Sequence, residues 1–283
     1  MLWPWPNNWR VSSMLILAAT PIGNLGDASP RLAQVLASAS LIVAEDTRMI
    51  HKLMKALEIT TSATVLAANE HSEASVADRV LDVAAESDVV VVSDAGMPAI
   101  SDPGYVLSSG ARTRGIPITV IPGPSAGLSA LAASGLPTDR FVHEGFIPKK
   151  GRSGYFASLA QEPRTMIFFE SPHRLAATLR DAAAVFGDDR AACVARELTK
   201  MFEQIERGTL GHLAHTFAEG TKGEVVLIVA GKPSGAHSLE DALDDVAALV
   251  AEGMKLTAAC ASVAKESGIP KGELYRASLE RGA

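Results

Sequence analysis

The chain is poor in cysteine, in aromatic side chains and in long apolar runs. Its only cysteines, Cys193 and Cys260, are too few for a disulfide framework, and Cys193 lies in the apolar run AACVA, where a buried small hydrophobe is expected. No run approaches the ~18 consecutive apolar residues of a membrane span. The sequence therefore predicts a cytoplasmic protein with reduced thiols and no membrane partner.

Positive charge is also in short supply. The chain has 26 Lys and Arg against 32 Asp and Glu, a formal net charge of −6. This balance argues against bulk attraction to nucleic acid but is compatible with a local basic patch. What is abundant is apolar material: 47% of the 283 residues are hydrophobic, enough for one large or two medium domains with their own cores.

The first thirteen residues, MLWPWPNNWRVSS, contain all three tryptophans but no apolar core of signal-peptide length. The first strand-like run begins at Met14. Met14 is therefore an alternative start to Met1, and residues 1–13 are expected to be a flexible extension.

In the next part of the chain, short β-branched runs alternate with longer helical patterns. The strand-like runs cover residues 15–19, 41–44, 88–93 and 117–121, and the helical patterns cover about 30–39, 46–58, 72–87 and 103–114. Strands that are apolar on both faces are typical of a parallel sheet covered by helices. The pattern predicts an α/β domain over residues 14–121.

Beyond the Pro/Gly-rich break IPGPSAG, strand-like runs follow one another more closely. They cover residues 141–147, 165–170, 191–197, 202–210 and 223–231. The stretch EQIERG alternates polar and apolar residues, as a half-exposed strand does. We expect a second α/β domain with a mixed sheet over 122–234 and a helical C-terminal appendage over 238–283.

The stretch GPSAG has the G-x-S-x-G pattern of a hydrolase nucleophile elbow, with Ser125 as the nucleophile. An elbow serine needs an acid and then a histidine further along the chain, and Asp139 and His143 are too close together to span a sheet. No upstream HGGG-type loop exists either. The alternative is that Ser125 starts a helix whose amides point at a ligand.

Two long loops follow predicted strands and are rich in Gly, Pro and Asp. VVSDAGMPAISDPG (91–104) contains Gly96 and Gly104, which permit close ligand approach, and ATPIGNLGDASPR (19–31) has the same character but matches no nucleotide-binding pattern. Ligands of open α/β sheets bind at the carboxyl ends of strands. The competing interpretation of the later loop is a tight turn in which Asp102 caps the next helix.

Charged groups also follow predicted strands, in VAEDTR (43–48), FFESPHR (168–174) and VARELTK (194–200). They are either surface ion pairs or part of a ligand site. His212 and His215 form an H-x-x-H pair without a third ligand nearby, so no metal site is predicted.

Together these segments resemble one known family along nearly the whole chain from Met14. TPIGNLGD, AEDTR, SDAGMPAISDPG, PGPSA, SGLPTDRF, FESPHR, ARELTK and GEVVL occur in the order and spacing of the bacterial 16S ribosomal RNA 2′-O-methyltransferase I family, of the tetrapyrrole (corrin/porphyrin) methylase superfamily. Met97 stands where that family usually has Thr.

The resemblance implies two α/β domains of the tetrapyrrole-methylase type with S-adenosylmethionine bound in the cleft between them. It also implies a homodimer that methylates the ribose 2′-hydroxyl of a decoding-region cytidine in 16S rRNA of the assembled small ribosomal subunit. The cofactor contacts carried over by position are Pro21, Asp94, Ala95, Gly96, Met97, Ile100, Ser125, Ala126, Phe169, Glu170 and Leu198.

Methyl transfer to a ribose hydroxyl calls for a base or hydrogen-bond acceptor within ~3 Å of it. The candidates near predicted strand ends are Glu45, Asp46, Glu70, His71 and Glu170, of which Asp46 or Glu170 is the catalytic hypothesis. Phosphate contacts are predicted for Arg48, Arg174, Arg196 and Lys200. The alternative for these four is ion pairing with Glu45, Glu170 and Glu197.

Two other functions compete with ribose methylation. A tetrapyrrole methylase on the same fold would accept a porphyrinoid, although that class typically opens with a GxGPGDP loop where this chain has TPIGNLGD. A non-catalytic ribosome-binding module would have the fold without the activity, and the intact cofactor motifs argue against it.

Overall fold

The computed structural model describes residues 13–69, 71–232 and 239–282. In this part of the chain two five-stranded sheets, each with helices on both faces, are followed by three further helices. Apart from Ser13, the expected N-terminal extension lies outside the described residues, and so does Glu70. The predicted α/β architecture with a helical C-terminal appendage is confirmed.

The first sheet is parallel throughout, with the strand order β3-β2-β4-β1-β5. Its strands are β1 (Leu15–Ala18), β2 (Leu41–Ala44), β3 (Thr64–Ala67), β4 (Val89–Val92) and β5 (Ile118–Ile121). Its helices are α1 (Pro30–Ser38), α2 (Thr47–Ala56), α3 (Glu73–Glu86) and α4 (Tyr105–Arg114). The four strands and four helices expected here occur; β3 is an additional edge strand.

The central strands are continuously apolar because both faces of the sheet are covered. Successive side chains point to opposite faces, so Ile42 packs with α1 and α2 while Val43 packs with α3 and α4. The same division runs along β4, where Val90 lies on the first face and Val91 on the second. The loops that follow β1, β2 and β4 therefore leave from one edge of a rigid sheet.

The second sheet is mixed, as expected, with the order β6-β7-β10-β8-β9; β6 and β7 are parallel and the other pairs are antiparallel. Its strands are β6 (Phe141–Phe146), β7 (Thr165–Glu170), β8 (Ala191–Arg196), β9 (Gln204–Thr209) and β10 (Val225–Val229). Its helices are α5 (Ala126–Ser134), α6 (Arg152–Ser158), α7 (Leu175–Phe186) and α8 (Leu210–Thr216).

The two faces of the second sheet meet different partners. One face packs on α6, α7 and α8 around Phe156 and Phe168. The other face carries α5, and Ile22 from the loop after β1 enters the same apolar cluster. Cys193 is buried in this cluster, as a small hydrophobe was expected to be. A loop of the first sheet thus packs directly on the second domain.

The last three helices are α9 (Leu239–Ala251), α10 (Leu256–Ser267) and α11 (Lys271–Arg281), and we call residues 239–282 the C-terminal module. Its apolar cluster, centred on Val246, Cys260 and Leu274, is built from residues of the module alone. Among the residues that the structure describes, no helix combines the length and apolar character needed to cross a membrane.

Candidate functional site

Two loops at the carboxyl edge of the first sheet are tied together by backbone hydrogen bonds. They are the β1–α1 loop (residues 19–29) and the β4–α4 loop (residues 93–104), which leave neighbouring strands. The Thr20 amide donates to the Gly96 carbonyl at 2.9 Å, and the Gly96 amide donates to the Thr20 carbonyl at 3.1 Å. The Thr20 hydroxyl also donates to the Ser93 carbonyl, at 3.2 Å. The two loops form one structural unit.

The β4–α4 loop holds strained backbone. Ala99 and Ser101 have φ angles of 68° and 63°, and Gly96 and Gly104 have φ angles of 86° and 128°. Positive φ costs a residue with a side chain on the order of 1–3 kcal/mol, and such residues concentrate at ligand sites. A second group of non-glycine residues with positive φ lies between β8 and β9, where Glu197 and Thr199 have φ angles of 52° and 67°.

The β4–α4 loop also meets the second domain. The Ser101 hydroxyl and Nε2 of His143 on β6 are 2.9 Å apart. The His143 ring lies edge-on to Phe169, with ring centroids 5.0 Å apart, and burial lowers the pKa of His143. The Phe146 ring also contacts Phe169, with ring centroids 5.3 Å apart. An aromatic group from the second sheet therefore stands directly behind the loop.

The β1–α1 loop meets the strained segment between β8 and β9. A Cβ placed on Gly23 would lie 2.5 Å from Cγ of Lys200 and 3.0 Å from Oγ1 of Thr199, so these two side chains pack directly against the Gly23 backbone. The Thr199 hydroxyl is buried and has no hydrogen-bond partner in the described structure. An unpaired buried hydroxyl is costly, which makes it a candidate ligand contact.

The structure brings several of the predicted cofactor residues to this junction. Ala126, Phe169 and Leu198 pack in the apolar cluster that Ile22 enters. Of the whole set, Gly96, Glu170 and Leu198 are buried, Asp94, Ala95 and Ile100 are exposed, and Pro21, Met97, Ser125, Ala126 and Phe169 are half-buried. Buried and exposed members in one place are what a ligand crevice between two domains requires.

Ser125 is the N-cap residue of α5, and its side chain makes no capping hydrogen bond. In the described part of the chain the histidine nearest this turn, His143, pairs with Ser101. The geometry therefore gives no support to a hydrolase elbow at Ser125. The expectation that Asp102 caps the next helix is wrong, because α4 begins at Tyr105 with Gly104 as its N-cap.

Asp46 is the N-cap of α2, and its carboxylate is hydrogen-bonded to Arg48. Its carboxylate accepts from the Arg48 amide at 2.8 Å and from the Arg48 guanidinium at 2.6 Å. These hydrogen bonds lower the pKa of Asp46 to about 2. The Asp46 amide in turn donates to Oδ1 of Asp94 at 3.1 Å, and burial raises the pKa of Asp94. The end of β2 and the β4–α4 loop are thereby connected.

Glu170, at the end of β7, has an enclosed carboxylate. It accepts from the Ser171 amide at 2.6 Å and from the Thr178 hydroxyl at 2.5 Å, and it pairs with Arg174. Arg174 also donates to the Ile147 carbonyl at 3.1 Å. This network fixes the turn between β7 and α7 whatever else Glu170 does.

Asp102 is a residue whose environment sequence reasoning missed. Burial and the charges of Glu45 and Asp94 raise its pKa to about 6. Perturbed carboxylates often mark functional sites. From the sequence, Asp-Pro-Gly indicates only a turn. The proximity of Glu45 could not be predicted because it depends on β2 and β4 being neighbours in the sheet.

The basic residues predicted to contact phosphate are placed differently from one another. The Arg48 side chain is 88% exposed although it pairs with Asp46. Lys200 lies 2.8 Å from Glu197 and 3.0 Å from Glu224, and Arg196 donates to Gln204 and to the Lys222 carbonyl. Ion pairing is thus present at three of the four: with the partners of the alternative interpretation at Arg174 and Lys200, and with Asp46 at Arg48.

The H-x-x-H residues are exposed on α8, and the His212 ring lies 3.6 Å from Glu206. Within residues 13–69, 71–232 and 239–282, no group of three or more His, Cys, Asp or Glu side chains is arranged to hold a metal.

A pocket of about 360 Å³ opens at the carboxyl edge of the first sheet, on the side of α2. Pro21 and Asp94, both predicted cofactor residues, line it together with residues of α2. The junction of the domains and this pocket share the same two loops.

Comparison with known proteins decides the family. The tetrapyrrole (corrin/porphyrin) methylase profile matches residues 14–214. The protein named ribosomal RNA small subunit methyltransferase I from Mycobacterium tuberculosis (strain ATCC 25618 / H37Rv) is 45% identical to this chain, over 95% of each chain. The protein of the same name from Synechocystis sp. (strain ATCC 27184 / PCC 6803 / Kazusa) is 43% identical, over 94% of this chain and 98% of that one. The chain belongs to the ribosomal RNA small subunit methyltransferase I family.

Further matches agree with this membership. The profile described as the RsmI C-terminal HTH domain matches residues 237–282, which include the C-terminal module. Uroporphyrin-III-C-methyltransferase from Thermus thermophilus has the same fold at 18% identity and a TM-score of 0.55, over 77% of this chain and 94% of that one. Diphthine synthase also has the same fold, at 14% identity and a TM-score of 0.58, over 77% of this chain and 89% of that one.

The methyl donor of this methyltransferase family is S-adenosylmethionine. The residues at the junction fit such a ligand. The unpaired Thr199 hydroxyl can hydrogen-bond a polar group of the ligand, and the cluster around Phe169 and Leu198 offers apolar contact.

Proposed function

We propose that this protein transfers a methyl group from S-adenosylmethionine to the ribose 2′-hydroxyl of a decoding-region cytidine in 16S rRNA, with the small ribosomal subunit as substrate. The observation that carries the proposal is the match to ribosomal RNA small subunit methyltransferase I proteins over 92–95% of this chain. The convergence of strained loops from both domains supports a cofactor site where such a reaction needs one.

The proposed cofactor contacts fall into three groups by position. Pro21 and residues 94–97 with Ile100 come from the two bonded loops, Ser125 and Ala126 from the start of α5, and Phe169, Glu170 and Leu198 from the second sheet. Buried backbone amides and carbonyls in such loops orient a ligand without flexible side chains.

Bound S-adenosylmethionine supplies an electrophilic methyl group. The protein's task is then to align the ribose oxygen with that methyl group, and fixed alignment contributes roughly 7–11 kcal/mol in good intramolecular models. The hydroxyl also needs a hydrogen-bond acceptor, and Asp46 and Glu170 are the proposed candidates. Asp46 lies at the surface, whereas the donors around Glu170 favour a positioning role for it.

Arg48, Arg174, Arg196 and Lys200 are the proposed phosphate contacts. Such contacts position RNA without reading its sequence. Arg48 is best placed for this because most of its side chain is in solvent. Arg174 and Lys200 would have to exchange or share their carboxylate partners.

A homodimer in the cytoplasm completes the proposal. Light scattering of the purified chain should give twice the chain mass of 29.6 kDa. A mass of one chain at micromolar concentration would contradict the dimer.

The deciding experiment is mass spectrometry of small-subunit RNA from cells with and without the gene. We expect the loss of one ribose methyl group in the decoding region, restored by the wild-type gene. A missing methyl group on a base would contradict the ribose assignment, and an unchanged methylation pattern would contradict the rRNA substrate. Transfer to a porphyrinoid in vitro would instead favour the tetrapyrrole methylase alternative.

A further inference from the structure

The pocket on the α2 side of the first sheet is a second space beside the domain junction. Its walls combine apolar side chains, Leu25 from the β1–α1 loop and Met49 and Leu53 from α2, with two charged residues, Lys52 and Asp94. Its volume of about 360 Å³ lies at the small end of the range of ligand sites, roughly 300–1,000 Å³.

The apolar part of this pocket is open to solvent. Leu25 is 47% exposed and Met49 is 42% exposed, although both belong to a chain whose large apolar side chains are mostly in the cores. A flat, unsaturated ring would cover both side chains and remove apolar surface from water. Met is well suited to this contact because its side chain is flexible and polarizable.

Two charged residues line the pocket, Asp94 and Lys52, and both are exposed. Asp94, at the end of β4, accepts from the Asp46 amide, and a carboxylate has about four acceptor positions in all. Lys52 and Arg48 lie exposed on α2. A carboxylate acceptor beside apolar walls, with exposed cations on the adjoining helix α2, matches a base that carries an exocyclic amine and is attached to a phosphate backbone.

We propose that this pocket receives the base of the target cytidine, stacked against Leu25 and Met49, with its flanking phosphates near Arg48 and Lys52. Its exocyclic amine donates to the Asp94 carboxylate, and the cofactor contact proposed for Asp94 is made by its backbone. The inference rests on the proposed function and adds to it the site of base recognition. The base would turn out of its stack into the pocket, while the ribose stays beside the β4–α4 loop that is proposed to hold the methyl donor.

The test uses the full-length protein and small subunits from cells that lack this methyl group. Met49→Trp fills the pocket, and Ile118→Trp is the matched control, since Ile118 is 39% exposed at the opposite end of the same sheet, on β5. We expect Met49→Trp to lower kcat/KM for the subunits at least 100-fold, with the Kd for S-adenosylmethionine within twofold of wild type. Ile118→Trp should match wild type in both.

A smaller change gives a second measurement. Met49→Ala shortens the wall and should lower kcat/KM roughly 10- to 200-fold, as lost apolar contacts do. Subunits in which the target cytidine is replaced by uridine should be methylated by the wild-type enzyme roughly 5- to 150-fold less efficiently.

Four results would overturn the inference. A parallel loss of S-adenosylmethionine affinity in Met49→Trp would assign the pocket to the cofactor. Equal activity of Met49→Trp and Ile118→Trp, or equal methylation of the cytidine and uridine substrates, would show that no base binds there. Failure of the wild-type enzyme to methylate either substrate would overturn the proposed function itself, and this inference with it.

Discussion

At the scale of single residues, Asp46 and Glu170 differ in what surrounds their carboxylates. Asp46 is bonded to Arg48 at the surface, whereas Glu170 is buried and bonded to Ser171, Thr178 and Arg174. Substituting Asp46 therefore tests its role in methyl transfer, whereas substituting Glu170 tests mainly its contribution to the stability of the fold.

Asp46→Asn should leave folding nearly unchanged because Asn is as good an N-cap as Asp. If Asp46 accepts a hydrogen bond from the ribose hydroxyl, single-turnover methyl transfer should fall on the order of 10²- to 10⁴-fold. The measurement is a rapid-quench assay with saturating enzyme. An unchanged rate would remove Asp46 from the reaction.

Glu170→Gln should instead destabilise the protein. Breaking a buried ion pair leaves Arg174 uncompensated, which typically costs about 3–5 kcal/mol. Denaturant unfolding measures this directly. If Glu170→Gln is as stable as wild type but transfers the methyl group more slowly, Glu170 takes part in the reaction and its role is not only structural.

Asp102 makes stability depend on pH. Its pKa is raised from 3.8 to about 6 in the folded protein, so the folded state holds the proton more tightly than the unfolded state between these values. Stability therefore falls as pH rises from about 4 to 6, and the penalty persists above 6. The full difference would be about 3 kcal/mol, and partial solvent exposure reduces it to about 1–2 kcal/mol.

Asp102→Asn removes this titration. Urea unfolding should give similar stabilities for wild type and variant near pH 4 and a more stable variant at pH 7. A difference that does not change between the two pH values would mean that the carboxyl of Asp102 is not the titrating group.

Sequence reasoning at this scale located charged groups and named two partners close to them in the chain, Glu170 and Glu197, but not the partners that are distant in sequence. The position of Asp46 just after a strand was evident from AEDTR, and the motif match predicted which loop residues would converge. The contact of Ser101 with His143 and the charge of Glu45 near Asp102 join residues far apart in the chain, so they follow from sheet order and domain packing.

At the scale of elements, the β4–α4 loop depends on a glycine at its end. Gly104 has a φ of 128°, and a Cβ there would lie 3.1 Å from the Ala99 amide nitrogen. Gly104→Ala should cost roughly 1–3 kcal/mol and displace the loop, weakening S-adenosylmethionine binding measured by calorimetry.

Gly115→Ala is the matched control for this variant. Gly115 also has a positive φ, 69°, but a Cβ there meets no atom within 4 Å. It should cost about 1 kcal/mol without changing cofactor affinity. Equal cofactor affinity in the two variants would show that strain in the loop is unrelated to the ligand.

Elements were predictable where a strand is buried on both faces. LIVA and VVVV became β2 and β4, whose residues are all buried. TVLA was missed because β3 is an edge strand with exposed ends, so its apolar signature is incomplete. EQIERG was recognised as a half-exposed strand, and β9, which contains most of it, is partly exposed along its length because it lies at the edge of the second sheet.

At the scale of the whole molecule, the C-terminal module has its own apolar cluster, and the two sheets have theirs. A chain that ends at residue 232 should therefore keep its cooperative unfolding and its S-adenosylmethionine affinity. If the module contacts the ribosome, KM for small subunits should rise while the cofactor Kd stays constant. Loss of cooperative unfolding on truncation would show that the module supports the domains.

The strand order of the first sheet has a consequence for synthesis on the ribosome. β1, the first strand to be made, lies between β4 and β5, the last two. Its first neighbour, β4, is complete only when residue 92 has been made and β5 only at residue 121, so the apolar strand β1 stays unpaired while more than seventy residues are added to the nascent chain. This nascent segment is where chaperone engagement during translation should be strongest.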